Sequence, residues 1–356
     1  MKKSARVLLL LGLLVLTSTL MLTGCGKSDG DATEPSPEAV EETIYCPLDH
    51  EELSALPERV FAVSIDNGAK SEPQSGLSIA DTVFELPVEG GITRFLAVFY
   101  HNQLDTIGPV RSARHYYIDL VQSFNGIYVH CGGSYIAKEA LSAGAVADID
   151  EMAYGSEFWR DDKRQKPTNL YTSWENLNGI AESKDMPLAG DISGFTFYED
   201  DESQGLSQGD VTTIDIPYTY KPVSYTWDAK SGSYLRFSNG SPHMDAANDT
   251  QIFADNVVVL RNAISVIDPN SGILDMSFVA NSGSGILFQK GNATPITWSM
   301  GQEYSPLVLT LEDGTEAKLA PGKTIFQVVD EDMAVDYGGA APAEGDAPDE
   351  GNNSQE

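Results

Sequence analysis

The stretch GPVRSARHYYIDLVQSFNGIYVHCGGS, residues 108–134, decides how the chain is read. Tyr116, Leu120 and Phe124 recur at four-residue spacing with Tyr117 and Val121 beside them, which makes one apolar face of a helix. Asn125 and Gly126 close it as a left-handed cap. Ile127–His130 then reads as a buried strand. Gly132, Gly133 and Ser134 lead into a second helix over Tyr135–Ala143, which Gly144 stops. Strand and helix alternate, so the expected fold around this stretch is a mixed, layered α/β domain.

Upstream, Arg59–Ile65 is a short apolar strand ending at Asp66 and Asn67. Ala80–Val88 and Ile92–Tyr100 are two more strand-like runs, joined by Glu89, Gly90 and Gly91 as a tight hairpin. Pro87 marks the first of these runs as a broken or edge strand. Past Gly190 the pattern changes. Val223–Trp227, Tyr234–Phe237, Asn256–Leu260, Gly285–Phe288, Ile296–Trp298, Leu307–Leu311 and Thr324–Val329 are short β-type runs punctuated by turn residues, which predicts a mostly antiparallel β domain. The expected boundaries are an α/β domain over 58–200 and a β-rich domain over 201–330.

The termini speak of location. Lys2, Lys3 and Arg6 precede an apolar run, Val7–Leu22, and then comes Leu22-Thr23-Gly24-Cys25. This is the layout of an export signal over residues 1–24 with a lipobox, so Cys25 is expected to carry the lipid that anchors the chain to the outer face of the cell membrane. Residues 25–57, polar and proline-containing at first, are expected to form a disordered tether. Residues 331–356 hold eight carboxylates and no lysine or arginine, and are expected to be a disordered acidic tail. The whole chain carries a formal charge of −31; without residues 1–24, 19 of its 22 basic residues face all 53 acidic ones, for −34. Such a surface repels nucleic acid. Two further cysteines, Cys46 and Cys131, give no disulfide framework, and the sequence leaves open whether they bridge.

The common enzyme signatures are missing: there is no Gly-x-Ser-x-Gly elbow, His-Glu-x-x-His, Walker loop or Rossmann fingerprint. This weighs against catalysis and implies no cofactor beyond a divalent cation. The basic loop Phe158–Tyr171 reads equally as a solvated loop or a ligand-binding one. His130 and Cys131 are neighbours on a strand and point to opposite faces. His243, with Asp245 and Asp249, reads as a solvated turn. What remains is an anion-binding candidate: Arg94 opening a strand, Arg111, Ser112 and Arg114 at one helix start, and Gly132, Gly133 and Ser134 at the next, where free N–H groups and the helix dipole favour an anion. Asp66 and Asn67 form a neighbouring polar or metal-binding candidate. The competing reading is structural, with Arg94, Arg111 and Arg114 paired to Glu85, Glu89 and Asp119.

Several motifs in order carry a resemblance. Val60–Asn67, Gln74–Leu77, Val88–Val98, Ile107–Arg114, Tyr128–His130 with Gly132–Ser134, Asn169–Tyr171, Tyr234–Arg236, Asp255–Val258, Gly283–Phe288, Thr297-Trp298 and Pro321–Thr324 resemble the YerB family of Gram-positive lipoproteins, whose function is not established. The resemblance implies a two-domain extracytoplasmic lipoprotein over residues 58–330. Cys131 stands where an alanine-like residue is expected. The strand ending in Asp66, followed by an arginine-bearing turn, is also similar to the core of LytR-CpsA-Psr phosphotransferases, although Arg111-Ser112-Ala113-Arg114 replaces their Arg-Asp-Thr signature. The first functional expectation is thus an accessory protein of the cell envelope that binds an anionic glycan, peptide or partner protein at the arginines. The second is a metal-assisted envelope phosphotransferase acting on a polyprenyl-pyrophosphate-linked glycan, with Asp66 as metal ligand.

Overall fold

A computed structural model describes residues 43–339, apart from 191, 200, 201, 204 and 205. The signal peptide, the lipidation residue Cys25, the tether as far as residue 42 and the tail from residue 340 lie outside the described residues.

The frame of the molecule is one ten-stranded mixed sheet. In chain order its strands are β1 (Phe61–Asp66), β2 (Thr82–Pro87), β3 (Thr93–Phe99), β4 (Ile127–His130), β5 (Asp148–Asp150), β6 (Asn256–Asn262), β7 (Asn281–Gln289), β8 (Asn292–Met300), β9 (Leu307–Thr310) and β10 (Thr324–Asp330). Across the sheet they run 9-8-7-6-10-2-3-1-4-5. The strands on either side of residue 200 meet where β10 lies parallel to β2, pairing Thr324 with Thr82 and Phe326 with Phe84. The one continuous sheet therefore draws strands from both sides of the sequence-based boundary at 200/201.

The strands buried on both faces read as apolar runs, and alternate residues face opposite ways. Ala62, Phe84, Leu96, Val98, Val258 and Phe326 share one core. There they meet Tyr116, Tyr117, Leu120 and Val121 of helix α1 (His115–Ser123) and Ala137 and Leu141 of α2 (Tyr135–Ser142). Phe61, Val63, Ile65, Val83, Val257 and Ile325 share the other core. It is closed by α3 (Trp174–Ser183) and by a six-stranded antiparallel sheet that contributes Ile214, Val223, Tyr225 and Tyr234.

The helix periodicity of residues 116–124 gives α1, and Asn125 takes the left-handed cap conformation at φ 49°. Ser134 caps α2, its hydroxyl accepting from the Ala137 N–H at 3.2 Å. Strand nevertheless outweighs helix throughout, and the part beyond residue 200 is built mostly of antiparallel pairs, with β10 parallel both to β6 and to β2.

Three expectations need correction. Pro87 does not mark an edge: β2 lies mid-sheet between β10 and β3, and its ladder to β10 ends at Glu85, so the missing proline N–H removes no bond there. Within the expected tether, Ile44–Tyr45 pairs with Glu52–Leu53, and Cys46 and Leu48 are fully buried in the first core. Those two anchors outweigh the polar residues around them. Within the expected tail, Asp336–Gly338 pairs with the strand Thr213–Ile216, a partner about 120 residues away that leaves no local signal.

Candidate functional site

The structure brings the three sequence-predicted arginines together, but it supplies their partners from within the chain. Arg114 Nε donates to Glu89 Oε1 at 2.7 Å and Oε2 at 3.0 Å, and its terminal nitrogens reach Glu89 and the Ala113 carbonyl. Arg111 Nε lies 3.2 Å from Asp66 Oδ2. Arg94 donates to the Ser112 carbonyl at 3.1 Å. Burial and then the positive charge of Arg114 pull the Arg94 pKa down. Arg94 and Arg114 are 5% and 7% exposed, so they offer a ligand almost no surface. Arg94 and Arg114 thus form an internal clamp between the β2–β3 hairpin and the start of α1, while the Arg111 side chain stays 22% exposed.

Burial on its own would raise the Glu89 pKa, but the Arg114 guanidinium holds it below its usual 4.5. A carboxylate depressed in the folded state stabilises above its unfolded pKa and loses that stabilisation as acid protonates it. Glu89→Gln is therefore expected to lower stability at neutral pH, with the difference from wild type shrinking as pH falls below about 4.5. Urea melts at descending pH check this; a difference that acid leaves unchanged would contradict the clamp.

The second expected anion cradle is also filled from within. The Gly132 N–H donates to Asp150 Oδ1 at 2.8 Å, Gly133 packs against Ala113, and Ser134 serves as the α2 cap. Asp66, expected as a metal ligand, accepts from the Gly68 N–H at 3.1 Å with Oδ1 and turns Oδ2 to Arg111. Asn67 is buried in a polar network, donating to Thr93 Oγ1 at 2.7 Å and to Glu85 Oε1 at 3.0 Å. Glu85 pairs with none of the three arginines. It faces Arg236 at 2.7 Å and accepts further bonds from Thr93 and Gln327, all deep in the second core. Asp119 accepts the backbone N–H groups of Phe278 and Val279 instead.

His243 and Asp245, read as a solvated turn, are buried: Asp245 accepts the N–H groups of Gly76 and Ser78, and His243 contacts Arg236 and Gln74. In the basic loop, Arg164 donates to the carbonyls of Ser71 and Pro73, which ties the loop to the scaffold. Cys46 and Cys131 are both free thiols. Cys131 donates to Glu151 at 3.2 Å while His130 bonds Gly132 and Asp148, so the two neighbours do address different partners.

An open cavity lies elsewhere. A cavity of ≈ 520 Å³ is lined by Asp49, Glu51, Asn102, Phe253, Asp255 and Lys323, among others. Its walls come from both sides of the β2–β10 junction. Against its floor, Cys46, Asp49, Asp81 and His101 bring one ligand atom each within 4.8 Å of one another. The topology explains the gathering. Asp81 immediately precedes β2 and His101 follows β3, and because these strands are antiparallel, the start of one meets the end of the other. The turn Cys46–Glu51 supplies the other two, with His50 at φ 65° letting the chain reverse.

Asp81 Oδ1 lies 2.6 Å and Asp49 Oδ2 2.8 Å from the same nitrogen, His101 Nε2. Burial, the largest influence, opposes charge on His101, but these carboxylates and the Cys46 thiol outweigh it and push its pKa up to about 12. Burial pushes the Cys46 thiol up to about 11. Lys323, buried at the cavity wall, donates to the Ala80 carbonyl; burial pulls its pKa down to about 8 against the surrounding aspartates.

Sequence reading missed this site because its four donors are spread over 56 residues and two of them lie in the presumed tether. The one available signal is Cys46 with Asp49, a thiol and a carboxylate three residues apart, before a chain with few other histidines and cysteines.

Two family models match the chain: the DUF3048 N-terminal domain, a protein of unknown function, over residues 48–187, and the DUF3048 C-terminal domain over residues 214–325. Asp49, Asp81 and His101 fall in the first match and Phe253 and Lys323 in the second. The putative lipoprotein YerB of Bacillus subtilis is 34% identical over 273 residues, which span 76% of this chain and 81% of that protein. The crystal structure of Bacillus subtilis YerB superposes with a TM-score of 0.75 at 32% identity, covering 83% of this chain and 99% of that one. No helix among the described residues is long and apolar enough to cross a membrane.

Proposed function

The chain belongs to the DUF3048 family, and from that premise we propose that it is a lipid-anchored protein of the outer membrane face that binds an amine-bearing peptide in the seam cavity. Attachment is through Cys25, and the role is accessory rather than catalytic. The observation that carries this reading is the charge of the cavity. Asp49, Glu51 and Asp255 line it against one buried lysine, in a chain of net charge −31. Carboxylates in a partly enclosed, apolar-walled cleft favour an ammonium group and disfavour an anion. The ligand class is therefore the reverse of the one the arginines suggested: a basic side chain of an envelope protein or an amino group of wall peptide.

A thermal-shift series separates the two. A lysine-containing peptide should raise the melting temperature, since a ligand that binds only the folded state stabilises it by mass action. Glu51→Gln, which changes an exposed rim carboxylate, should weaken that shift. Stabilisation by an acidic glycan fragment and none by the peptide would overturn the proposal. Anchoring is tested apart from binding: Cys25→Ser should move the protein from the membrane fraction to the medium or leave it uncleaved.

A further inference from the structure

We propose that Cys46, Asp49, Asp81 and His101 are the ligands of a zinc-type metal site that staples the segment leading in from the membrane anchor to the ten-stranded sheet. The site stands independently of the peptide reading, since no ligand in the cavity is needed to form it.

The donor set decides the metal class. One thiol, one imidazole and two carboxylates make four donors of intermediate softness, the number and mixture that tetrahedral Zn²⁺ takes. Ca²⁺ and Mg²⁺ take six or more oxygens, which this cluster does not offer. The four ligand atoms already lie within 4.8 Å of one another, and the two contacts at His101 Nε2 are 2.6 and 2.8 Å. One ring N–H can satisfy only one of the two carboxylate oxygens crowded against it, and the Asn102 side-chain amide also donates to Asp81 Oδ1 at 3.2 Å. A cation at their common centre satisfies both and takes the thiolate as well.

The surroundings are those of oriented ligands. Each carboxylate spends one oxygen on a backbone N–H and turns the other inward. Asp49 Oδ1 accepts from Glu51 at 3.1 Å while Oδ2 faces His101; Asp81 Oδ2 accepts from Tyr100 at 2.6 Å while Oδ1 faces His101. The Leu48 N–H points at Cys46 Sγ at 3.4 Å, the bond that favours a thiolate. Such outer partners fix ligand direction and raise metal affinity. Cys46 and Asp81 are fully buried and Asp49 opens onto the cavity, which gives the metal a way in. With a thiolate, two carboxylates and neutral imidazole, a bound Zn²⁺ leaves one negative charge, and the buried Lys323 ammonium lies among these carboxylates to offset it.

Two ligands come from the Cys46–Glu51 turn and two from the ends of β2 and β3. The metal therefore joins the turn at Cys46–Glu51 to the centre of the sheet.

The test uses the full-length chain, purified in detergent and stripped of metal. It carries Cys25→Ser and Cys131→Ala, which leaves Cys46 as the one thiol of the three in the sequence. Titration with Zn²⁺ should load one equivalent and slow proteolysis within residues 43–57 at least about tenfold, a change in local opening. Co²⁺ in its place should give a thiolate-to-cobalt charge-transfer band and the intense visible bands of a tetrahedral site. Cys46→Ser should abolish the charge-transfer band, and His101→Gln should weaken Zn²⁺ binding more than about 100-fold, beyond the 10–100-fold typical of outer-sphere changes. If either variant fails to fold, the cobalt spectrum of the parent decides alone. No stoichiometric Zn²⁺ uptake, or a cobalt complex without the thiolate band, overturns the site and leaves the cavity reading intact.

Discussion

Arg236→Met is expected to cost about 3–5 kcal/mol of stability, the range for breaking one side of a buried ion pair. Arg236 and Glu85 are 1% and 0% exposed, and the substitution leaves Glu85 charged in the core with Arg236 gone. Thr93, Asn67 and Gln327 still donate to Glu85, but they are neutral and cannot replace the lost charge. Arg236 also contacts His243, whose pKa burial and the adjacent guanidinium hold well below 6.5. The double variant Glu85→Gln with Arg236→Met should recover part of the loss, because no uncompensated charge remains. Denaturant unfolding of the two singles and the double supplies a mutant cycle. If Arg236→Met alone costs under about 1 kcal/mol, the level of an exposed pair, the pair is not the buried anchor described above.

Phe326→Ala is expected to cost about 3–5 kcal/mol, as large-to-small changes at a buried aromatic do. Phe326 and Phe84 are both fully buried, register partners across the parallel β10–β2 junction, with rings stacked at 4.4 Å. The more telling outcome is where the loss appears. Because this junction joins the strands before and after residue 200, hydrogen exchange should quicken together in β1 and in β8. Protection that falls in β8 while β1 keeps its full value would mean the two parts unfold separately, against a single sheet.

Local pattern carried a large share of this architecture. The period of Tyr116, Leu120 and Phe124 gave α1, and all seven β-type runs named beyond Gly190 are strands within a few residues. Their partners were not legible. Thr324 beside Thr82 joins positions 242 apart, and the pairing leaves no mark on either run. For the same reason the arginine cluster could be seen in sequence but not its fate. Arg114 takes Glu89, one of the three carboxylates the structural reading named, whereas Glu85 takes Arg236 from the distant half and Asp119 accepts backbone N–H groups.

The presumed tether misled by composition. Asp49, His50, Glu51 and Glu52 look solvated in sequence, yet Cys46 and Leu48 beside them are buried in the core and Leu53 packs against it. Those polar residues are where the open site lies. The candidate site thus moved from the arginine turn, whose charges are answered internally, to a seam that only the fold assembles.

An anomalous difference map from crystals of the protein grown with Zn²⁺, collected at the zinc edge, addresses the seam most directly. A single strong peak is expected about 2.3 Å from Cys46 Sγ and about 2.0–2.2 Å from His101 Nε2 and from one oxygen each of Asp49 and Asp81. A map with no peak among these four residues would contradict the metal staple.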